Sequence, residues 1–469
     1  MTYHNITMER GFFNQPVDRI IDELTRKDTD IPAWEELKKD YEPGLHGIMH
    51  DAVGRKEKIR EDGTIEKPAR IPIGLEKLLV KRINEFMFAL PVKRTYAGTE
   101  DNETRAAIMQ AMEAIYKHAR IDAENKRRGL SYFASCEVMT VWYAVESPNT
   151  LYGFPCKWKL RCKSYSPKDG VELFPYFDDG DDLVALSFRY TKRIVDRDRV
   201  FFETYTADRH FKWMQGDTGW EEKVNEEIRI GKIPGVYVCR EEPIYKDLTP
   251  LREDIEYTLS RNSDVIAYNA APLLKIIGQL IGREEKGETQ RVYRMEEGGD
   301  MAYVAWEQAI EALSYQVQTE VNLFWSQGQM PDISFQNMKD LGDIGYDARQ
   351  TLFMDAHLRI GDEAGAWIEA LERECNIIKA FLKLMKVEWA AEIDSMEVEH
   401  AITPFQLKSE EAEINKYVKA NGGKPVISQQ ESVQLAGLSA DPKKTMSLIK
   451  AEEAEDTQSK VESAMNAYM

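Results

Sequence analysis

The chain has 469 residues, of which 43% are hydrophobic and 30% are charged, and its formal net charge is −19. A chain of this length buries more than one hydrophobic core, so we expect about two to four structural units. The acidic balance disfavours non-specific binding to DNA or to anionic membranes. The five cysteines form no C-x-x-C pair, which predicts free thiols in a reducing compartment rather than a disulfide or metal framework.

Neither a secretory signal nor a membrane span is recognisable. The N-terminal stretch MTYHNITMERGFFNQ lacks a basic segment followed by an apolar one. The longest uncharged stretch of apolar character, VIAYNAAPLL, falls short of the roughly 20 residues that a helix needs to cross a bilayer. We therefore expect a protein that is made and used in a cytoplasm, with no membrane partner.

Residues 1–130 have a mostly helical pattern. Apolar residues recur every three or four positions in LEKLLVKRINEFMFAL, which predicts a helix that begins near Leu75 and ends before Pro91. A second helix is predicted from Glu103 to Gly129, because glycine commonly terminates a helix.

Residues 131–245 are richer in aromatic and β-branched residues, and turn signals recur at short spacing. The stretch LVALSFRY alternates between two faces, which is typical of a strand. The acidic stretch FDDGDD, from Phe177 to Asp182, is predicted to be a hairpin turn between two such strands. We expect several antiparallel strands in this region.

The helical period returns at Thr249, which is predicted to cap a helix over 249–270 with Pro250 in its first turn. Glycines interrupt residues 271–304, which predicts a small strand-rich module, although LLKIIGQLI alone could equally be a helix turn. Apolar residues then step by three or four positions through a second helix over 305–327.

A polar loop over 328–343 separates this helix from the longest helical pattern of the chain, predicted over 344–397. From Ile344 to Trp389 such a helix would reach about 65 Å if it were continuous. Short helices and a charged end are predicted in the tail, residues 398–469. The fold class is therefore α+β and predominantly helical.

The two helices that flank the small module must lie side by side, because the module is too short to separate them. A helix pair with a single apolar stripe on each helix would be poorly buried in a monomer. Repetition of the pair around a ring would bury the remaining faces, which favours a homo-oligomer.

Two stretches raise the alternative of a cytosolic metal-dependent hydrolase. HGIMH has the spacing of a zinc-binding helix, but Gly47 stands where a metalloprotease needs glutamate, so His46 and His50 are interpreted as surface histidines. FDDGDD does not fit the spacing of a calcium loop. Since no phosphate-binding loop and no nucleophile elbow occur, we predict no catalytic residue, no metal and no cofactor.

Two polar segments are candidate interaction sites. The basic residues of the module are interpreted as a local excess of positive charge that docks an acidic partner, against the alternative of a solvated hairpin of mixed charge; they are Lys275, Arg283, Lys286, Arg291 and Arg294. The loop is either an ordinary surface loop or a functional one. Because it breaks two strongly patterned helices, we expect a functional reason for its polar residues, which include Gln336, Asn337, Lys339 and Asp340.

At this point the order of several stretches resembles that of portal proteins of long-tailed bacteriophages. The stretches are IPIGLEKLLVKRINEFMFALPVKRTY, LFPYFDDGDDLVALSFRY, IGKIPGVYVCREEPIYKDLTPLREDIEYTLSRNSDVIAYNAAPLLKIIG, YRMEEGGDMAYVAW, SQGQMPDIS and NGGKPVISQQESV. The likeness covers most of residues 70–455, and it rests on the order of all the stretches rather than on any single motif.

The resemblance implies a division of the protomer into named parts. These are a wing over 1–248 that includes the strand-rich part 131–245, stem helices over 249–270 and 305–327, a clip over 271–304, a channel loop over 328–343, a long wing helix over 344–397 and a crown over 398–469.

The resemblance also implies a function and partners. About twelve copies would form a ring at one capsid vertex, assembled in the host cytoplasm and retained in the virion. Double-stranded DNA would be pumped through the ring by the terminase large subunit and later leave through it. The clip would dock terminase and then the head-to-tail adaptor, and the ring would also meet the major capsid protein and scaffold. Another ring-forming phage head component is the alternative within this class.

Overall fold

A computed structural model describes residues 11–26, 31–50, 55–59, 61–100, 102–178, 180, 182–269, 273–278, 280–286, 290–295, 300–304, 310–334, 351–406, 410–422, 425–439 and 441–468. Contacts divide the chain into two compact units. The first comprises Met1–Asp332 and Asp355–Phe405, and the second comprises Ile333–Met354 and Gln406–Met469. The structure mixes helices and strands, which confirms the predicted α+β class.

The N-terminal part of the first unit is mostly helical, as expected. Its elements are α1 (Val17–Leu24), α2 (Trp34–Tyr41), β1 (Lys58–Ile59), β2 (Ile65–Glu66), α3 (Leu75–Phe88), β3 (Lys93–Tyr96), α4 (Glu103–Ala119) and α5 (Ile121–Ser135). The side chain of Asn102 caps α4 by accepting hydrogen bonds from two backbone N–H groups of its first turn. Arg120, in the left-handed region with φ 59°, separates α4 from α5.

Gly129 does not terminate a helix, so this prediction was wrong. It lies inside α5, where a Cβ atom would stand 2.2 Å from Asn84 Oδ1 and 2.6 Å from the Phe88 ring, both on α3. Glycine is required here because the two helices approach each other too closely for any side chain. A glycine with this role and a glycine at a helix end are indistinguishable in sequence.

The strand-rich region forms antiparallel strands, as predicted, and they are arranged in two sheets. Its strands are β4 (Glu137–Asn149), β5 (Cys156–Tyr165), β6 (Val171–Phe177), β7 (Leu183–Ile194), β8 (Arg197–Tyr205), β9 (Arg209–Gln215), β10 (Trp220–Glu227) and β11 (Gly235–Cys239). The order is β10-β9-β8-β7-β6 in the five-stranded sheet and β11-β4-β5 in the three-stranded sheet. The acidic stretch is the turn between β6 and β7, where Asp178 Oδ1 accepts N–H bonds from Gly180 at 2.8 Å and Asp182 at 3.0 Å.

The five-stranded sheet is buried on both faces. One face packs against the apolar residues Ile20, Ile21 and Leu24 of α1. The other face packs against Met139 and Val141 of β4 in the three-stranded sheet. This part of the first unit therefore has three layers, which are the helix α1, the five-stranded sheet and the three-stranded sheet. Large aromatic side chains pack between them.

The helix α6 (Thr249–Asn269) follows a short 3-10 turn over Lys246–Leu248. Thr249 is already helical and its hydroxyl donates to Tyr245 O at 3.3 Å, so it is not the N-cap that the sequence suggested. The glycine-broken module forms strands, including the ambiguous stretch LLKIIGQLI; they are β12 (Leu273–Ile277), β13 (Leu280–Lys286), β14 (Gln290–Met295) and β15 (Asp300–Val304). The helix α7 (Ile310–Gln327) packs against α6, so the two helices lie side by side as expected.

The long helix is shorter than the predicted range 344–397. The helix α8 (Met354–Met385) has 32 residues, or about 48 Å at 1.5 Å per residue. The backbone leaves the helical conformation at Lys386. A 3-10 turn, α9 (Ala390–Ser395) and β16 (Val398–Ala401) follow. Strand β16 pairs with β3, so residues 398–405 belong to the first unit and not to the tail. The start of the predicted helix lies outside the described residues.

The second unit is helical in its described parts. Its helices are α10 (Glu410–Asn421), α11 (Gln429–Ala436) and α12 (Pro442–Tyr468). Ser428 and Glu431 form a capping box at the start of α11, and Gly437 with φ 65° ends it. In the parts of the chain that the structure describes, no helix combines the length and apolar character required to cross a membrane. All five cysteines are free thiols, as predicted.

Candidate functional site

The predicted channel-loop residues Gln336, Asn337, Lys339 and Asp340 lie outside the described residues. The chain that enters the loop is described. Gly328 ends α7 at a position where a Cβ atom would stand 3.1 Å from Leu79, and Gln329 adopts a left-handed conformation with φ 52°. Met330 is then buried, and its N–H donates to Trp325 O at 3.1 Å. The entrance to the loop is therefore anchored to the packed core of the first unit.

The four predicted docking residues of the module all belong to one antiparallel pair of strands. In the backbone register of β13 and β14, Arg283 pairs with Tyr293 and Lys286 pairs with Gln290. In the same register Arg291 pairs with Glu285, and Arg294 pairs with Gly282. The pairing gathers the four positions on one hairpin, as the sequence order suggested.

The interpretation of a local excess of positive charge was wrong. Residues 273–304 contain the five basic residues named above and six acidic residues, which are Glu284, Glu285, Glu288, Glu296, Glu297 and Asp300. The module is therefore slightly acidic with mixed charge.

His46 is not a surface histidine, so this interpretation was also wrong. It lies between two 3-10 turns and not on an α-helix, and it is 1% exposed. Its Nδ1 lies 2.6 Å from Glu256 Oε1 and its Nε2 lies 2.9 Å from Asp40 O, while His50 is exposed. Both ring nitrogens of His46 are occupied by protein groups. Among the described residues, no cluster of three or more histidine, cysteine or carboxylate side chains could hold a metal ion.

A buried row of polar side chains runs along α6, and the sequence reading missed it. Arg252, Glu256, Ser260 and Asp264 follow one another at intervals of four, so they share one face of the helix. Arg252, Glu256 and Ser260 are 0% exposed. We call these four residues the α6 polar row. The burial of the apolar residues on the same helix is uneven, since Ile255 is 0% exposed and Ile266 is 53% exposed.

Arg252 is the central cation of the α6 polar row. Its Nε donates to Glu76 Oε1 at 2.7 Å, its NH1 to Glu256 Oε2 at 3.2 Å and its NH2 to Asp40 Oδ1 at 3.1 Å. Burial alone would lower the pKa of Arg252, but the two buried glutamates raise it above its ordinary value. Burial raises the pKa of Glu76, and Arg252 opposes that rise.

The rest of the α6 polar row holds the backbone of an extended segment. Glu256 Oε1 accepts the N–H of Ile73 at 2.7 Å, and Ser260 Oγ accepts the N–H of Ile71 at 3.0 Å. Asp264 Oδ1 accepts the N–H of Ala69 at 2.7 Å, and its other oxygen contacts Arg55. Side chains on three successive turns of α6 therefore accept hydrogen bonds from three alternate backbone N–H groups of the segment. These bonds fix the register of the segment along the helix.

A second buried ion pair joins α5, α8 and the three-stranded sheet. Arg128 donates to both carboxylate oxygens of Glu374, at 2.9 and 3.0 Å, and Trp142 Nε1 donates to Glu374 Oε1 at 2.8 Å. Burial disfavours the charge of Arg128, but Glu374 holds its pKa above the ordinary value. The Arg128 guanidinium also lies 5.4 Å from the ring centre of Trp367. Both networks brace long helices and present no open reactive group.

The family model for phage portal proteins of the SPP1 Gp6-like type matches residues 22–459. No curated protein matches the chain.

The chain is similar to chains of three solved gene transfer agent (GTA) structures. One is the neck of an empty GTA particle with C6 symmetry, at 11% identity and TM-score 0.42, covering 78% of this chain and 90% of the other. Another is the neck of a native GTA particle with C12 symmetry, at 12% identity and TM-score 0.39, with coverages of 78% and 90%. The third is the virion of a native GTA particle, at 11% identity and TM-score 0.38, with coverages of 78% and 89%.

The family match agrees with the resemblance read from the order of the sequence stretches. It also extends beyond the range 70–455 at both ends, into the N-terminal helices and through most of α12. Since the family model covers nearly the whole chain, the protein belongs to the phage portal protein family of the SPP1 Gp6-like type.

Proposed function

We propose that about twelve copies of the chain form a ring at a single capsid vertex, and that double-stranded DNA enters and leaves the head through its central channel. The family match over residues 22–459 carries this proposal. Portal proteins are structural components of the particle, so the work of DNA translocation falls to a separate terminase motor. The protein is assembled in the host cytoplasm and remains in the virion.

The packing of the first unit supports the proposed parts of the protomer. The stem comprises α6 and α7, which pack side by side, and the clip is the strand module between them. The α6 polar row ties the first stem helix to residues 40–76 through buried charges. A stem anchored in this way transmits force into the wing. The helix resists sliding along residues 40–76, because sliding would separate each buried polar group from its partner.

The charge of the ring suits the passage of DNA. About twelve chains at −19 carry ~−228 formal charges, so the ring repels DNA more than it holds it. The channel loop over 328–343 contains Gln336, Asn337, Lys339 and Asp340, and a small number of phosphate contacts there would be weak and sensitive to salt. Weak contacts allow the DNA to slide.

The clip is proposed to dock the terminase large subunit during packaging and the head-to-tail adaptor afterwards. Its hairpin carries Arg283, Lys286, Arg291 and Arg294 beside acidic residues, so it offers both signs of charge to successive partners. The major capsid protein and scaffold are the proposed partners of the remaining ring surface.

The hydrolase alternative loses its structural basis. His46 is bound to Glu256 and Asp40, and the acidic stretch forms a hairpin turn whose hydrogen bonds are local. Another ring-forming head component is disfavoured by the family match, which is to portal proteins.

The channel loop is tested by reversing its charge. We expect the double variant Lys339→Glu and Asn337→Glu to reduce the nuclease-protected DNA per particle by at least about tenfold, because added carboxylates repel the phosphates. Rings should still form. The matched control is Lys192→Glu with Gln215→Glu, which makes the same change in net charge on exposed strand residues. Normal packaging by the loop variant would remove the loop from the DNA path.

A further inference from the structure

Strand β5 carries a regular row of basic side chains. Lys157, Lys159, Arg161 and Lys163 occupy every second position of CKWKLRCKSY, so they lie on one face of the strand. Alternate residues are about 6.7 Å apart, so the row is about 20 Å long. Lys157, Arg161 and Lys163 are exposed and Lys159 is half-buried. We call these four residues the basic face.

No ion pair offsets the basic face among the described residues. The residues opposite Lys159, Arg161 and Lys163 on β4 are Val145, Tyr143 and Val141, which are uncharged. Lys163 Nζ lies 4.7 Å from the ring centre of Tyr165. The chain has a net charge of −19, but β5 has four basic residues and no acidic residue. The electrostatic potential is therefore locally positive at this strand.

Part of the free hydrogen-bonding edge of β5 is already occupied by side chains, which disfavours the addition of a strand. The N–H of Leu160 donates to Tyr152 Oη at 3.0 Å, and the N–H of Ser164 donates to Glu124 Oε1 at 3.0 Å. Recognition of a partner by side-chain charge is therefore favoured over backbone pairing.

We propose that the basic face binds the phosphate backbone of duplex DNA, without sequence preference, as a contact separate from the channel loop. DNA carries one negative charge per about 1.7 Å of axis, so a row about 20 Å long meets several phosphates. The acidic residues elsewhere are screened beyond about 8 Å at physiological salt. Tyr143 lies opposite Arg161 and is 38% exposed, so its hydroxyl can donate to a phosphate oxygen.

The rival partner is an acidic surface on a second copy of the chain. The most acidic of the described strands is β10, but three of its four carboxylates are already engaged. Glu221 pairs with Lys223 at 2.8 Å, and Glu222 accepts from Asn225 at 3.1 Å. Glu227 lies 3.8 Å from Arg229. Since its own cations neutralise this strand in part, DNA is the better complement to the basic face.

The test measures binding of a short duplex to the full-length protein by fluorescence anisotropy between about 50 and 200 mM salt. The test variant replaces four cations with glutamine: Lys157→Gln, Lys159→Gln, Arg161→Gln and Lys163→Gln. We expect it to lose at least about tenfold in affinity at the lower salt. The plot of log K against log salt should become shallower by about 3.6 if all four cations contact phosphates, because each lost phosphate contact removes about 0.9 from the slope.

The control variant makes the same change in net charge on exposed residues elsewhere: Lys192→Gln, Arg193→Gln, Arg197→Gln and Lys232→Gln. Equal binding by the test variant and the wild type, or equal losses in both variants, would overturn the proposal. The oligomeric mass of each protein is measured in the same buffers. Loss of assembly by the test variant alone would assign the basic face to a contact between copies and overturn the DNA assignment. Salt-dependent DNA binding by a monomer would support the basic face even if the ring proposal failed.

Discussion

The variant Arg252→Met is expected to lower the free energy of unfolding of the first unit by about 3–5 kcal/mol. Arg252 lies 2.7 Å from Glu76 and 3.2 Å from Glu256, and all three side chains are buried. Methionine has a similar length and no charge, so it would leave two carboxylates buried without their cation. The cost of breaking a buried ion network in this way is large because the remaining charges cannot recover their hydration.

Urea unfolding followed by circular dichroism measures the change in free energy. Hydrogen exchange gives a local readout, since the N–H groups of Ile71 and Ile73 should exchange faster when the α6 polar row loses its cation. Arg261→Met is the control, because Arg261 is exposed on the same helix. A loss below about 1 kcal/mol for Arg252→Met would show that the network does not brace the helix.

The variant Glu374→Leu is expected to cost about 3–5 kcal/mol for a related reason. It would leave the Arg128 guanidinium buried without its anion and the Trp142 N–H without its acceptor. The double variant Arg128→Met with Glu374→Leu should be less destabilised than Glu374→Leu alone, because it removes both charges.

An exposed ion pair on the same helix provides the control for Glu374→Leu. Glu369 and Arg373 form this pair on α8, and their side chains are 65% and 51% exposed. Glu369→Leu should change the stability by less than about 1 kcal/mol, because water already screens the pair. Equal effects of the two substitutions in urea unfolding would contradict the special role of the buried pair.

Much of the fold could be predicted because each element has a periodic apolar pattern. The helix from Leu75, the strands around FDDGDD and the strand module between α6 and α7 all follow from spacing and turn residues. The family was predicted from the order of several weak stretches, and the family match confirms it.

Two of the errors share a physical cause, which is that tertiary contacts decided the outcome. Gly129 permits a close helix crossing, and His46 is buried because Glu256, far away in the sequence, binds it. The α6 polar row has a readable signal, four polar residues at intervals of four, but the same pattern is typical of a solvated helix face. This face of α6 is buried because the extended segment over residues 69–73 packs against it.

Native mass spectrometry with negative-stain imaging of the purified full-length protein tests the proposed ring. We expect a closed ring of about twelve copies of a 54.0 kDa chain, near 650 kDa, with a central hole. A protein that remains monomeric at every concentration, and also when expressed together with its capsid and scaffold proteins, would contradict this proposal.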